Sequence, residues 1–202
     1  MLRIYGAAKS RALRTLWMVG ELGVAYEHED YLPRAPETRT PEFLAVNPNG
    51  RVPAIDDDGF ILTESMAINF YLAKKHRSAL YPPDAKHEAL AWQWCLWETD
   101  RIDRQLPAYV RHTRELPEGE RRKEIAETSW KEIVESFDIL DAALGKSLWL
   151  AGPAFSIADL NVASALYRAL SLDLAKWPNL QAWLHRCWER PAAKRARAMR
   201  ES

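Results

Sequence analysis

Over the first third of the chain, apolar positions alternate between strand-like runs and helical spacing. Leu2 to Tyr5 reads as a strand, and Gly6-Ala7-Ala8-Lys9 as a loop. Ser10 is placed to cap a helix from Arg11 to about Leu22, with Leu13, Leu16, Trp17 and Val19 on one face and Gly23 beyond its end. Tyr26 to Tyr31 reads as a second strand, broken by Pro33. A polar, proline-rich loop covers Leu32 to Pro41, and Glu42 to Val46 is one helical turn. Val52 to Ile55 is a short apolar strand. Asp57-Asp58-Gly59 turns it into a partner, Phe60 to Thr63, as in a hairpin. The next helix carries Ile68, Tyr71 and Leu72 at helical spacing. Thr63 is its expected cap, with Glu64 and Ser65 in the first turn.

Beyond this unit the pattern is helical throughout. One long helix is expected from His87 to Arg114, broken by Leu116-Pro117-Glu118-Gly119. A second runs from Glu120 to Leu144 and ends at Gly145. A third starts at Ser156 and reaches about Leu170, a fourth starts at Pro178, and a short basic tail follows Pro191. Ser156-Ile157-Ala158-Asp159 is a variant capping box, with Phe155 and Leu160 at the staple positions. The expected organisation is an α+β domain over residues 1–76, a linker over 77–86 containing Pro82-Pro83, and an all-helical domain over 87–202.

Composition narrows the function. The 202 residues are 48% hydrophobic and include nine Trp, enough for a sizeable core. Lys plus Arg equals Asp plus Glu at 28 each, so net charge gives no reason to expect nucleic acid or a membrane as partner. The first residues hold no long apolar run, so no signal peptide is expected. Cys95 and Cys187 stand alone, which points to a reducing, cytoplasmic setting without disulfides or structural zinc. His76, His87, His112 and His185 show no metal spacing.

The candidate chemistry lies between Asn47 and Ser65. Asn47-Pro48-Asn49-Gly50 is turn sequence. Pro53 cannot donate to a ladder, so it marks either an edge position or a cis bond. A cis bond would expose the backbone of Val52 at a bend, open to an extended peptide. The helix after the hairpin offers unpaired N–H groups and a positive dipole end. With the Ser65 hydroxyl it suits a carboxylate, and Glu64 beside it suits an ammonium. One short segment is thus suited to an α-amino acid head group.

The run Asn47-Pro48-Asn49-Gly50-Arg51-Val52-Pro53-Ala54-Ile55, then a hairpin, then Leu62-Thr63-Glu64-Ser65-Met66-Ala67-Ile68, resembles the glutathione-binding half of cytosolic glutathione transferases. The resemblance extends over nearly the whole chain. It implies a thioredoxin-like domain followed by an all-α domain. It also implies that Val52, before a cis Pro53, pairs with the cysteinyl part of glutathione, and that Glu64 and Ser65 hold the γ-glutamyl end. The Ser156 box resembles the family's N-capping motif and is read as serving stability.

Glutathione chemistry needs a thiolate, and a free thiol is mostly protonated at neutral pH. Ser10, at the end of a loop and the start of a helix, is the candidate donor to the sulfur. The Ser10-x-x-x-Arg14 spacing resembles the serine-type, bacterial members of the family; Ser10 acting only as a helix cap is the alternative. Tyr5 is the rival donor. No cysteine lies in the loop, which argues against the cysteine classes, and Lys9 there reads as a solvated side chain. Arg39 and Arg51 match basic positions that meet the glycyl carboxylate, or are solvated arginines. Trp97, Asp100, Arg101 and Arg104 share a broad face of the long helix. By resemblance, Asp100 reaches across a dimer to the neighbour's glutathione, while Trp92, Trp94 and Trp97 read as core and interface residues.

The resemblance implies a detoxifying enzyme, a cytoplasmic homodimer with glutathione as co-substrate and no metal. It would join the thiolate to a small hydrophobic electrophile. A glutathione-dependent isomerase or peroxidase using the same site is the near alternative. A non-catalytic binding protein on the same fold is the distant one.

Overall fold

The computed structural model describes residues 1–202 and divides into two compact units, Met1–Tyr81 with Glu189–Ser202, and Pro82–Trp188. In the first unit, β1 (Leu2–Tyr5), β2 (Tyr26–Glu29), β3 (Ala54–Asp57) and β4 (Phe60–Thr63) form one sheet in the order β2-β1-β3-β4. β1 runs parallel to β2 and antiparallel to β3, and β3 pairs antiparallel with β4. The parallel pair needs a crossover, and helix α1 (Ala12–Leu22) supplies it. The antiparallel pair needs only Asp58-Gly59, both at positive φ (54° and 89°), as a two-residue hairpin turn requires. Helix α2 (Pro41–Val46) lies in the connection before β3, and α3 (Ser65–Lys75) follows β4. This is the strand-helix-strand unit with hairpin and helix that the pattern of apolar positions predicted, and the thioredoxin-like fold that the family resemblance implied. Ile4, Trp17, Met18, Ile55, Ile68 and Leu72 are fully buried in its core.

Asp57 ends β3 in a buried position, where Tyr71 donates to it at 2.7 Å and Lys75 pairs with it. Burial pushes its pKa up, but the bonds from Lys75 and Tyr71 outweigh that and hold the carboxyl below its ordinary value.

The chain beyond Pro191 was expected as a short basic tail within the helical domain. It is helix α9 (Pro191–Glu201), which packs along α1 in the first unit. Arg190 grips both carboxylate oxygens of Glu21 at 2.7 Å each. Ala192 packs on Gly20, where a Cβ would stand 3.2 Å from its own. Burial raises the Glu21 pKa, yet hydrogen bonds from Arg190 and Trp17 bring it below the ordinary value.

The second unit is helical: α4 (Ala85–Arg101), α5 (Gln105–Val110), α6 (Lys123–Leu144), α7 (Ile157–Ala165) and α8 (Pro178–Trp188). The single helix expected over His87–Arg114 is two helices and a wide turn. Pro107 has no N–H for the carbonyl of Asp103 and its ring crowds that carbonyl, so the chain turns at Ile102–Arg104. The helix from Ser156 also ends early, at Ala165, and continues as a tighter 3-10 segment, Leu166–Ser171.

The capping box is formed, and its carboxylate does more than cap. Asp159 accepts from the backbone N–H of Leu150 at 2.9 Å and from Ser156 N and Oγ at 3.0 Å each. Trp183 of α8 also donates to it, at 2.8 Å. Burial pushes this carboxyl upward, and the four donors act against it.

Asp159→Ala strands four donors at once and is expected to cost on the order of 2–4 kcal/mol, read as a lower urea midpoint at unchanged slope. Asp57 predicts a pH dependence. A depressed carboxyl pKa stabilises the fold above its unfolded value of about 4, and that contribution disappears as pH falls through the folded value. Asp57→Asn should therefore be less stable than the parent at neutral pH, with the gap closing as pH falls below the ordinary carboxyl value in paired urea titrations.

Candidate functional site

The loop between β1 and α1 is held from three directions. Gly6 N donates to Glu29 O and Ala7 N to Tyr31 O, each at 2.8 Å, and His28 Nε2 meets Gly6 O at 2.9 Å. Gly6 has φ +132°, and a Cβ there would lie 2.8 Å from the Cβ of Val52, so only glycine lets the loop approach Val52 so closely. Ser10 is half-buried. Its N–H and its hydroxyl both donate to Ala7 O, at 2.9 and 2.7 Å, while its Oγ accepts from Ala12 N at 3.0 Å. The N-cap of α1 is Arg11, one residue later than expected and without a side-chain cap; Ser10 Oγ instead holds the first N–H of the helix from just outside it, and spends its one proton on a carbonyl that already has a donor.

The Val52-Pro53 bond is cis, and β3 begins after it at Ala54 rather than at Val52. Val52 makes no backbone hydrogen bond within the chain. The turn ahead of it is built on buried Asn47, which accepts from Gly50 N at 2.8 Å and donates from its side chain to Arg51 O at 2.7 Å. Gly50 has φ +58°, and the Arg39 guanidinium lies over it, with Nη1 2.4 Å from where a Cβ would be. Neither Arg39 nor Arg51 makes a side-chain hydrogen bond or ion pair within the chain, and both are exposed.

At the start of α3 the capping residue is Glu64, not Thr63. Thr63 is still paired to Ala54 in the sheet, so the chain turns from strand to helix in one residue. Glu64 makes that turn at φ 66°, ψ 110°, with no side-chain cap and no partner for its carboxylate. Ser65 is buried, and Arg14 Nη1 donates to its Oγ at 3.2 Å. Asn69 of α3 donates to Arg14 O at 3.2 Å, tying the two helices again. Ser10, Arg39, Arg51, Val52, Pro53, Glu64 and Ser65 all belong to the first unit, with Val52 against Gly6 in the loop before α1, Arg39 over Gly50, and Glu64 and Ser65 opening α3.

Tyr5 is 9% exposed and packs its ring against Tyr31 and Phe43, at centroid distances of 6.0 and 5.6 Å. Its hydroxyl associates with Arg3, whose pKa is raised chiefly by Glu27 and then by this phenol. Asp100 belongs to the second unit, exposed on α4 and paired with Arg101 at 3.2 Å. Trp94 is buried edge-on against half-buried Trp97, Trp92 is exposed, and Arg104 is exposed at the start of α5. No group of three or more His, Cys, Asp or Glu side chains is arranged to hold a metal ion, and no helix is long and apolar enough to cross a membrane.

Residues 1–74 match the family model described as glutathione S-transferase, N-terminal domain, and residues 97–191 match its C-terminal domain. The chain belongs to the glutathione S-transferase family. It is a transferase and has the family's fold, a thioredoxin-like domain followed by a helical one. It is 34% identical to glutathione S-transferase GstB of Escherichia coli over 76% of each chain. It is 29% identical to glutathione S-transferase F13 of Arabidopsis thaliana over 95% of this chain and 92% of that one. Among solved structures it resembles the theta class glutathione S-transferase of Xanthomonas axonopodis pv. citri with glutathione bound, at TM-score 0.90 and 31% identity over 96% of each chain. Glutathione transferase F7 of Populus trichocarpa matches at TM-score 0.88 and 27% identity over 99% of each.

Two residues of this transferase's candidate site escaped the sequence as contributors. Arg14 entered only as a spacing mark, yet it is 4% exposed and bridges α1 to Ser65. His28, in a short strand, holds the Gly6 carbonyl. Both act through contacts with residues distant in sequence, which local pattern does not encode.

The backbone at Glu64 generates a prediction. A non-glycine residue at this φ and ψ costs about 1–3 kcal/mol, so Glu64→Gly is expected to raise stability by about 1 kcal/mol in urea unfolding.

Proposed function

We propose that this protein joins the thiolate of glutathione to an electrophilic carbon of a small hydrophobic molecule, with Ser10 as the group that stabilises the sulfur anion. The unpaired backbone of Val52 between two helix N-termini carries this reading. An extended peptide pairs with Val52 as a strand would. The γ-glutamyl carboxylate takes Ser65 and the N-terminal N–H groups of α3, backed by the buried charge of Arg14. The ammonium takes the Glu64 carboxylate, which explains a charged side chain kept at a strained position. Arg39 and Arg51 offer free guanidinium groups to the glycyl carboxylate.

The Ser10 proton can turn from Ala7 O to the sulfur without stranding that carbonyl, because Ser10 N still donates to it. The Oγ keeps its bond from Ala12 N meanwhile, so the first N–H of α1 stays satisfied through the switch. The thiol proton leaves to solvent. The thiolate then attacks carbon, a C–S bond forms, and the leaving group departs with the bonding electron pair.

The working form is a cytoplasmic homodimer. Trp92, Leu96 and Asp100 fall four residues apart on α4, and Leu96 is 65% exposed, so an apolar stripe leads to Asp100. Asp100 at its end suits contact with the neighbour's glutathione.

The test begins with retention on immobilised glutathione and thioether formation with an activated aryl chloride. Thiolate absorbance against pH then assigns the donor. Ser10→Ala is expected to raise the pKa of bound glutathione, and a rise of one corresponds to about 1.4 kcal/mol of lost preference for the anion. Tyr5→Phe should leave it unmoved. A reversed pair of results makes Tyr5 the donor, and binding without a depressed thiol pKa makes the protein a binding module.

A further inference from the structure

Ala8 lies two residues before Ser10 and is 2% exposed. Its carbonyl accepts one hydrogen bond within the chain, from Arg200 Nη1 at 2.8 Å, a donor 192 residues away. Of the loop's other carbonyls, Gly6 O is met by His28 of β2 and Ala7 O by Ser10. A buried carbonyl without a donor is unfavourable, so the loop's present shape depends on this guanidinium.

Arg200 is delivered by register. Arg190, Arg195 and Arg200 recur every five residues, and all three bond the α1 segment. Arg190 takes Glu21 at 2.7 Å and Arg195 takes Gly20 O at 3.2 Å, at one end of α1. Arg200 takes Ala8 O, ahead of the other end. Helix α9 therefore runs antiparallel to α1 along its length, and its fixed first turn aims the last arginine at the loop.

We propose that Arg200 is a positioning residue for Ser10, holding the Ala8 carbonyl so that the Ser10 hydroxyl is presented to the glutathione sulfur in one orientation. This rests on the role assigned to Ser10 above. Without the tether the Ala8 peptide is free to turn toward water. Ser10 N and Oγ, which both lean on Ala7 O next door, then lose their fixed direction. The peptide-binding residues Val52, Glu64 and Ser65 have no contact with Arg200 among these bonds, so affinity and anion stabilisation should separate.

Arg200→Met and Arg200→Lys test this in the full chain, against the parent, by two measurements. The first is hydrogen exchange at the Ser10 amide, which needs no glutathione. In Arg200→Met it should be at least about tenfold faster, since its bond to Ala7 O opens more often. The second is the pH profile of conjugation. In Arg200→Met the bound thiol pKa should rise by about one, giving about tenfold lower rate near pH 6.5 and recovery toward the parent above pH 9. Glutathione affinity should change less than about twofold, equivalent to about 0.4 kcal/mol. Arg200→Lys keeps a donor and a charge and should restore most of both effects. Unchanged Ser10 exchange in Arg200→Met overturns the tether, whether or not the protein conjugates glutathione. Faster exchange with an unmoved pH profile makes Arg200 a stabilising residue only and overturns the positioning role. A parent with no depressed thiol pKa defeats the proposed function instead, and the exchange comparison alone then decides whether Arg200 holds the loop.

Discussion

The first unit depends on a charge it has buried. Arg14 is 4% exposed in the middle of α1, and a guanidinium cannot leave water without acceptors in fixed places. Ser65 supplies one, at the first residue of α3. The position of α3 relative to α1 is thereby set by a directional bond as well as by apolar packing, which alone tolerates sliding. Asn69 adds a second directional bond between the same helices. The N-terminus of α3 is thus held where the sheet also delivers it, at the end of β4, and the strained conformation of Glu64 is what joins the two demands.

The helical unit solves a similar problem with an anion. Asp159 is fully buried and collects donors from its own cap, from the preceding loop and from α8. Only the cap was legible in the sequence, because a capping box is a local pattern. The bond from Trp183 joins residues 24 apart and leaves no mark in spacing. The carboxylate therefore organises three segments of the unit, where its sequence motif announces one.

The same division between local and distant explains what the sequence disclosed. Strands β1, β2 and β4, the hairpin and helices α1, α3 and α6 were legible because each is written in consecutive residues; β3 was placed two residues early, at Val52–Ile55, and Asp57, assigned to the turn, pairs with Phe60 in the sheet. Pro107 is just as local a signal, but the single helix expected over His87–Arg114 took no account of it, so the break at Ile102–Arg104 was missed. At the site, the run from Asn47 to Ser65 is contiguous and spoke clearly. The cap at Glu64 did not, because it follows from Thr63 still being paired in the sheet. Arg14, His28 and helix α9 owe their roles to partners 51, 22 and 169 residues away, at Ser65, Gly6 and Glu21.

Helix α9 also makes the first unit discontinuous. Residues 1–81 and 189–202 are one compact body interrupted by the whole of the second unit. On a ribosome, the sheet and its first three helices emerge early but wait for the entire helical unit to be synthesised before α9 arrives. Until then the face of α1 that α9 covers, including Gly20, is bare. Closing so long a loop makes this docking a late event in maturation. A nascent chain can therefore hold most of its thioredoxin-like fold while one side of α1 still awaits its cover.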